Sequence, residues 1–229
     1  MEFCLEDFIR NMKMNKPDVV LLTTPNNPTG KPIADEQIKR ILRELPSDCI
    51  ILFDRSLVNT LPEISSKTLL HDYSDKKIVV LHSFSKSHSL SEERIGFLAT
   101  NNSEIAIELY NKRDLPHNLH ALKKCLSVID NEKIVKTKKR IIRNCNLALK
   151  DYFKDKKDFI YYDSHSNFAL IKLREGFKST KLEEEMRKKG ILIMAGHKIG
   201  LSEEFVRLHM TNVKGVKKFL EEFNKIILS

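Results

Sequence analysis

Residues Leu81-His82-Ser83-Phe84-Ser85-Lys86-Ser87-His88-Ser89-Leu90-Ser91-Glu92-Glu93-Arg94-Ile95-Gly96-Phe97 decide how the rest of this chain is read. At the centre is Lys86, with Ser83 and Ser85 before it and Arg94 eight positions after it. A lysine in a serine-rich loop, with an arginine one short loop away, suits an amine that attacks an aldehyde beside a bound phosphate. Serine hydroxyls donate to phosphate oxygens, and arginine adds a planar charged fork that matches them. The block Ile78-Val79-Val80-Leu81 just before it is short, continuously apolar and rich in β-branched residues, so Lys77 to Leu81 reads as a buried strand. Lys86 then follows the C-terminal end of a strand, where open α/β sheets bind their ligands.

Two segments upstream have the same arrangement. Asp18-Val19-Val20-Leu21-Leu22 is a short strand candidate that runs into Thr23-Thr24-Pro25-Asn26-Asn27-Pro28-Thr29-Gly30, a rigid turn by its prolines, asparagines and glycine. The stretch from about Ala34 to Leu45 predicts a helix with Ile38, Ile41, Leu42 and Leu45 on one face and Asp35 and Glu36 in its first turn. Cys49 to Phe53 is the next strand, ending in Asp54. Strand, helix and strand with short connections form a βαβ unit and hence a parallel sheet, which puts Asn27, Asp54 and Lys86 at the same edge.

Taken together, Ser83-Phe84-Ser85-Lys86 with Arg94-Ile95-Gly96, the Asn27 turn, Asp54 after its strand, and Arg207 in Phe205-Val206-Arg207-Leu208-His209 resemble, in order and spacing, the fold-type I, class I/II aminotransferases that use pyridoxal phosphate (PLP). The resemblance implies an α/β fold: part of the large PLP-binding domain, with a mostly parallel sheet, followed by a small C-terminal α+β domain. It implies that Lys86 is the catalytic amine that holds the cofactor, and that Asp54 pairs with the protonated ring nitrogen. Asn27 bonds the phenolic oxygen, and Ser83, Ser85 and Arg94 hold the phosphate. Arg207 grips the substrate carboxylate. An arginine among apolar strand neighbours needs either an internal acid or a ligand. Ser164-His165-Ser166-Asn167-Phe168 is similar to a segment of the histidinol-phosphate aminotransferase branch, which places Asn167, with Asn27, beside the substrate.

The chain departs from the family pattern at two positions. Leu57 stands three residues after Asp54, where a tyrosine usually adds a second donor to the phenolic oxygen. Ser89 stands three residues after Lys86 in place of a glycine.

The remaining sequence completes the outline. Met1 to Lys16 has a helical apolar spacing that Pro17 stops. Arg94 to Ala99 is a strand, with Asn101 or Ser103 as the cap of a helix from Glu104 to Lys112. Leu119 to Phe153 is helical and Lys-rich, with a break near Asp130-Asn131, and polarity there divides a large domain, 1–129, from a small one, 130–229. Beyond it, Asp158 to Tyr162, Phe168 to Leu173, Ile191 to Met194 and Phe205 to Met210 read as strands. Thr180 to Lys189 and Val213 to Leu228 read as helices.

With 229 residues, 41% hydrophobic and 31% charged, the chain has the composition of a soluble globular protein. No apolar run reaches the roughly 20 residues of a membrane span, and the N-terminus lacks a basic region followed by an apolar one, so a cytoplasmic protein is expected. The net charge of +9 comes largely from lysines on helix faces, without an aromatic reading element, so no nucleic-acid partner is expected. Cys4, Cys49, Cys125 and Cys145 form no paired motif, and no metal is expected.

The resemblance covers nearly the whole chain, but the chain covers only part of the family. The usual N-terminal portion, with its phosphate-binding glycine/serine loop and the aromatic that stacks on the ring, has no counterpart here. A homodimer is implied for the full-length form. The chain is a fragment, a truncated product, or half of a split enzyme, and all three remain open. Parallel strands need cover on both faces, so an exposed apolar face and an unpaired sheet edge are expected. Amino-group transfer from an amino acid to a 2-oxo acid is the activity implied. A decarboxylase of the same fold, or a non-catalytic interaction protein, are the alternatives.

Overall fold

A computed structural model of the protein describes residues 2–57, 65–112 and 118–228. They form two compact units. The first holds 2–24, 32–57, 65–112 and 118–135; the second holds 25–31 and 136–228. No described helix is long and apolar enough to cross a membrane.

The first unit is built on a sheet of β1 (Val19–Thr23), β2 (Ile50–Asp54), β3 (Lys77–Ser83) and β4 (Gly96–Thr100), in that spatial order. The first three strands are parallel, and β4 runs antiparallel to β3. Alternation along each strand sends Val20, Leu22, Ile51, Phe53, Ile78 and Val80 to one face. Against this face pack α1 (Leu5–Asn15), α2 (Asp35–Glu44) and α3 (Ser66–Asp72). Helix α2 buries Ile38, Ile41 and Leu42 completely, the expected apolar stripe, and Gln37 Oε1 accepts the orphan Ala34 N–H at 3.1 Å. The opposite face is open at β1, where Val19 is 54% and Leu21 59% exposed.

Three local features differ from the sequence reading. The serine-rich loop around Lys86 is a single helical turn, α4 (Phe84–Ser87), entered directly from β3. Its cap is Ser83, whose Oγ accepts the Ser85 N–H at 3.2 Å. The cap of α5 (Ser103–Asn111) is Asn102, which accepts from Ile105 N–H at 2.9 Å. Asn101 instead ties β4 to the start of β3, because its Oδ1 accepts the Ile78 N–H and its Nδ2 donates to the carbonyls of Tyr73 and Lys76. A last short helix, α6 (Leu119–Leu126), follows in this unit, capped by Asn118.

The second unit contains most of α7 (Glu132–Phe153), then β5 (Ile160–Tyr162), β6 (Phe168–Lys172), α8 (Ser179–Lys188), β7 (Ile193–Ala195), β8 (Phe205–His209) and α9 (Val213–Leu228). Its sheet is antiparallel, in the order β5-β6-β8-β7. One face carries Ala169, Ile171, Val206 and Leu208, which α7, α8 and α9 cover through Leu149, Leu182, Phe219 and Phe223. The opposite face carries Phe168, Leu170 and Arg207, because residues two apart on a strand share a face.

Candidate active site

In the first unit the C-terminal ends of β2 and β3 lie side by side, with Asp54 in register with Leu81. Asp54 Oδ1 accepts the Ser56 N–H at 2.9 Å, while Oδ2 has no hydrogen-bond partner among the described residues. Two residues past Leu81 comes Ser83, and the α4 turn then presents Lys86 in a half-buried position. The Lys86 amine has no acid or hydrogen-bond partner among the described residues. Ser87 Oγ donates to Ser83 O, and Ser91 Oγ to Ser85 O, so the turn is fixed by its own serines while the buried Ser85 keeps its hydroxyl unengaged.

Arg94 returns to this place because the chain reverses between Ser87 and Ile95. Phe84 N–H donates to Ile95 O at 3.2 Å, and Gly96 pairs with Ser83. At Gly96 a Cβ would stand 2.4 Å from the His82 carbonyl oxygen, so the close approach requires glycine. Ser89 and Arg94 make the reversal with φ of 61° and 50°, both in the left-handed region. The Arg94 guanidinium also has no partner among the described residues. The structure therefore brings Asp54, Ser83, Ser85, Lys86 and Arg94 to one strand edge. An unengaged amine, two hydroxyls, an unengaged guanidinium and a free carboxylate oxygen suit a ligand with an aldehyde, a phosphate and a protonated ring nitrogen.

Beside this cluster is a relay without a sequence signal, since its members lie on three elements. Arg55 Nη1 donates to Ser66 Oγ at 3.2 Å, and Ser66 Oγ lies 2.8 Å from His82 Nε2. The Ser66 hydroxyl, accepting from Arg55, keeps one proton and one lone pair with which to bond the imidazole nitrogen. Burial, and then the Arg55 charge, lower the His82 pKa, which favours the neutral imidazole. The ring stacks on Phe97, with centroids 4.8 Å apart. Leu57 is half-buried and, in place of a phenol, offers no hydrogen-bond donor.

The second unit holds Asn27, Asn167 and Arg207. The Asn27 turn is closed by Asn26 N–H to Lys31 O at 2.8 Å and Gly30 N–H to Asn26 O at 2.7 Å, with a cis Asn27–Pro28 bond. It is anchored on the 164–167 segment: His165 N–H donates to Gly30 O at 2.8 Å, and a Cβ on Gly30 would stand 1.9 Å from Ser164 Oγ. The Asn27 side chain is exposed and engages no described residue.

Asn167 is buried and already engaged. Its Oδ1 accepts from Ser166 Oγ at 3.2 Å, and its Nδ2 donates to His209 Nε2 at 2.8 Å, which holds His209 as the Nδ1–H tautomer. Its amide thus orients the end of β8 from inside the protein. Arg207 lies mid-strand, in register with Leu170 on one side and Met194 on the other, and its guanidinium covers the Phe168 ring at 4.3 Å. No described acid pairs with it, Nε is buried without a partner, and burial lowers its pKa. A half-buried guanidinium without an internal acid is suited to an anionic ligand.

The family model for aminotransferase class I and II matches residues 4–223. The chain is 25% identical over 229 residues to a histidinol-phosphate aminotransferase of Methanococcus aeolicus, a match that covers 96% of this chain and 59% of that protein. The crystal structure of the histidinol-phosphate aminotransferase from Clostridium acetobutylicum superposes with a TM-score of 0.86 at 23% identity, over 99% of this chain and 68% of that one. A decarboxylase from Sulfurospirillum multivorans superposes with a TM-score of 0.85 at 20% identity, over 98% and 66%. The chain spans about three fifths of the length of the curated relatives it matches.

Proposed function

Since the chain belongs to the class I and II aminotransferase family, we propose that it is the larger part of a PLP-dependent aminotransferase that moves an amino group from an amino acid to a 2-oxo acid. The observation that carries this reading is the Lys86 amine, left without a partner among the described residues beside the equally unengaged Arg94 and Oδ2 of Asp54. The unengaged groups at the end of β3 match the functional groups of PLP. When bound, PLP supplies an aldehyde and an electron-withdrawing ring that takes up the electron pair left when the substrate's α-proton departs.

The chain's own residues have the following parts. Lys86 Nζ is the nucleophile toward the aldehyde and, once released by the incoming substrate amine, the base that takes the α-proton and returns it. Asp54 Oδ2 keeps the ring nitrogen protonated. Ser83, Ser85 and Arg94 take the phosphate, where a charge-assisted contact is about twice as strong as a neutral one. Asn27 donates to the phenolic oxygen. Arg207 binds the substrate carboxylate, and Asn167 acts indirectly by holding His209 at the end of the same strand. A likeness of equal quality to a decarboxylase keeps one second reading, in which the carboxylate is lost in place of the α-proton.

Borohydride reduction of the protein with PLP, followed by peptide mass spectrometry, tests the cofactor assignment. A phosphopyridoxyl group on Lys86 is expected, and a label mainly on another lysine overturns it. Product analysis separates the two reactions: a 2-oxo acid from transamination, carbon dioxide from decarboxylation.

A further inference from the structure

Arg94 has φ of 50°, in the left-handed region that a residue with a side chain keeps only where its surroundings impose it. The chain reversal that carries it is tied on either side. Leu90 N–H donates to Phe84 O at 3.2 Å and Ser91 Oγ to Ser85 O at 3.1 Å, and beyond Arg94 the Ile95 carbonyl accepts from Phe84 N–H at 3.2 Å. Between these ties, over 92–94, the side-chain bond among the described residues comes from Lys124 Nζ on α6 to Oε1 of Glu93, the residue just before Arg94. The Glu93 side chain is only 10% exposed, whereas that of Lys124 is 47% exposed. The same helix packs against the reversal through Cys125, which clusters with Phe84 and Leu90, with Ile95 and Val128 beside them.

We infer that Glu93 and Lys124 are positioning residues for Arg94: the pair fixes the backbone one residue before it and thereby aims the guanidinium at the cofactor phosphate. This rests on the proposed function, in which Arg94 takes that phosphate. A guanidinium binds phosphate through a planar fork of N–H donors, so its orientation decides the strength of the contact, whereas a lysine would act as a point charge. An ion pair with one partner half in solvent adds little to stability, so losing it should leave the fold intact and be felt in the aim of its neighbour. Positioning and plain electrostatics differ in sign. If the pair acted only through its charges, removing the Glu93 carboxylate would strengthen phosphate binding and removing the Lys124 amine would weaken it. If the pair holds Arg94 in place, either loss weakens it.

The test compares two probes on the 229-residue chain: PLP, and pyridoxal, which has the same ring and aldehyde without the phosphate. Affinities are read from the absorbance of the bound probe, without substrate or turnover. Glu93→Gln and Lys124→Met should each lower PLP affinity at least fivefold and leave pyridoxal affinity within twofold. The charge exchange Glu93→Lys with Lys124→Glu should bring PLP affinity back to within threefold of the unaltered chain. Circular dichroism checks folding, and Lys124→Met, at a half-exposed position, keeps the test open if Glu93→Gln folds poorly. A parallel fall for both probes overturns the inference, since the pair would then support the fold alone. Opposite signs in the two variants overturn it as well, and so does an undiminished preference for PLP in both. An unaltered chain that binds PLP no better than pyridoxal refutes the phosphate assignment in the proposed function, and the positioning role with it.

Discussion

At the scale of single residues, two side chains stand where the fold tolerates rather than favours them. Ser89 has φ of 61°, a conformation that costs a side-chain-bearing residue about 1–2 kcal/mol and glycine almost nothing. Glycine at this position would relieve that strain but lose more chain entropy on folding, about 0.5–1 kcal/mol. Ser89→Gly is therefore expected to raise stability by about 0.5–1 kcal/mol, read as a higher urea midpoint. An unchanged or lower midpoint would mean that the Ser89 side chain makes up for its backbone. Arg207 is the opposite case, a group kept for binding at the expense of stability. Its guanidinium is half-buried, pairs with no described acid and stacks on Phe168. Arg207→Met retains the stacking volume and removes an uncompensated charge, so the urea midpoint should rise while affinity for a 2-oxo acid falls at least tenfold. A lower midpoint with unchanged affinity would show that the charge is satisfied and not used on a ligand.

At the scale of elements, β3 and the turn after it hold most of the chemistry, and they also titrate. His82 is kept neutral by burial and by Arg55, with its pKa below the usual 6.5. The unfolded chain takes up this proton first as pH falls, so the contribution to stability is full above pH 6.5 and is lost on acidification through the lowered folded pKa. His165, also lowered by burial, adds in the same direction. Urea midpoints should therefore decline from pH 7.5 to 5.0, and His82→Gln, whose amide can still bond Ser66, should flatten part of that slope. An unaltered slope in the variant would remove His82 from the account. Apolar periodicity was enough to read the elements with strong stripes: α9 spans Val213–Leu228 as its spacing predicts, and β2 ends at Asp54. Features set by side-chain contacts across the fold were not legible. Nothing local distinguishes Asn101, which ties β4 to β3, from Asn102, which caps α5. The α4 turn has too few residues to show a period, and α3 is only two turns long. The same limit hid the Arg55–Ser66–His82 relay, whose members come from three separate segments, and the engagement of Asn167 by Ser166 and His209.

At the scale of the whole molecule, the two units are finished to different degrees. The second has an antiparallel sheet covered by three helices on one face; its central strand β6 is buried along most of its length, and β8 buries Val206 and Leu208. The first has three parallel strands and one antiparallel strand, covered by helices on one face, with β1 and β4 at edges unpaired among the described residues and Val19 and Leu21 in solvent. The sequence foretold that face and edge from a count of what parallel strands require, because the need for cover follows from strand type and not from any contact. Unequal completion should appear as unequal local stability, since opening is easiest where apolar contacts are few and backbone hydrogen bonds face water. Amide hydrogen exchange followed by mass spectrometry reads this strand by strand. Peptides over Val19–Thr23 and Gly96–Thr100 should exchange at least tenfold faster than those over Phe168–Lys172 and Phe205–His209, a difference of about 1.4 kcal/mol or more in opening free energy. Equal protection of all four strands would mean that the chain opens only as a whole and that the bare face carries no penalty.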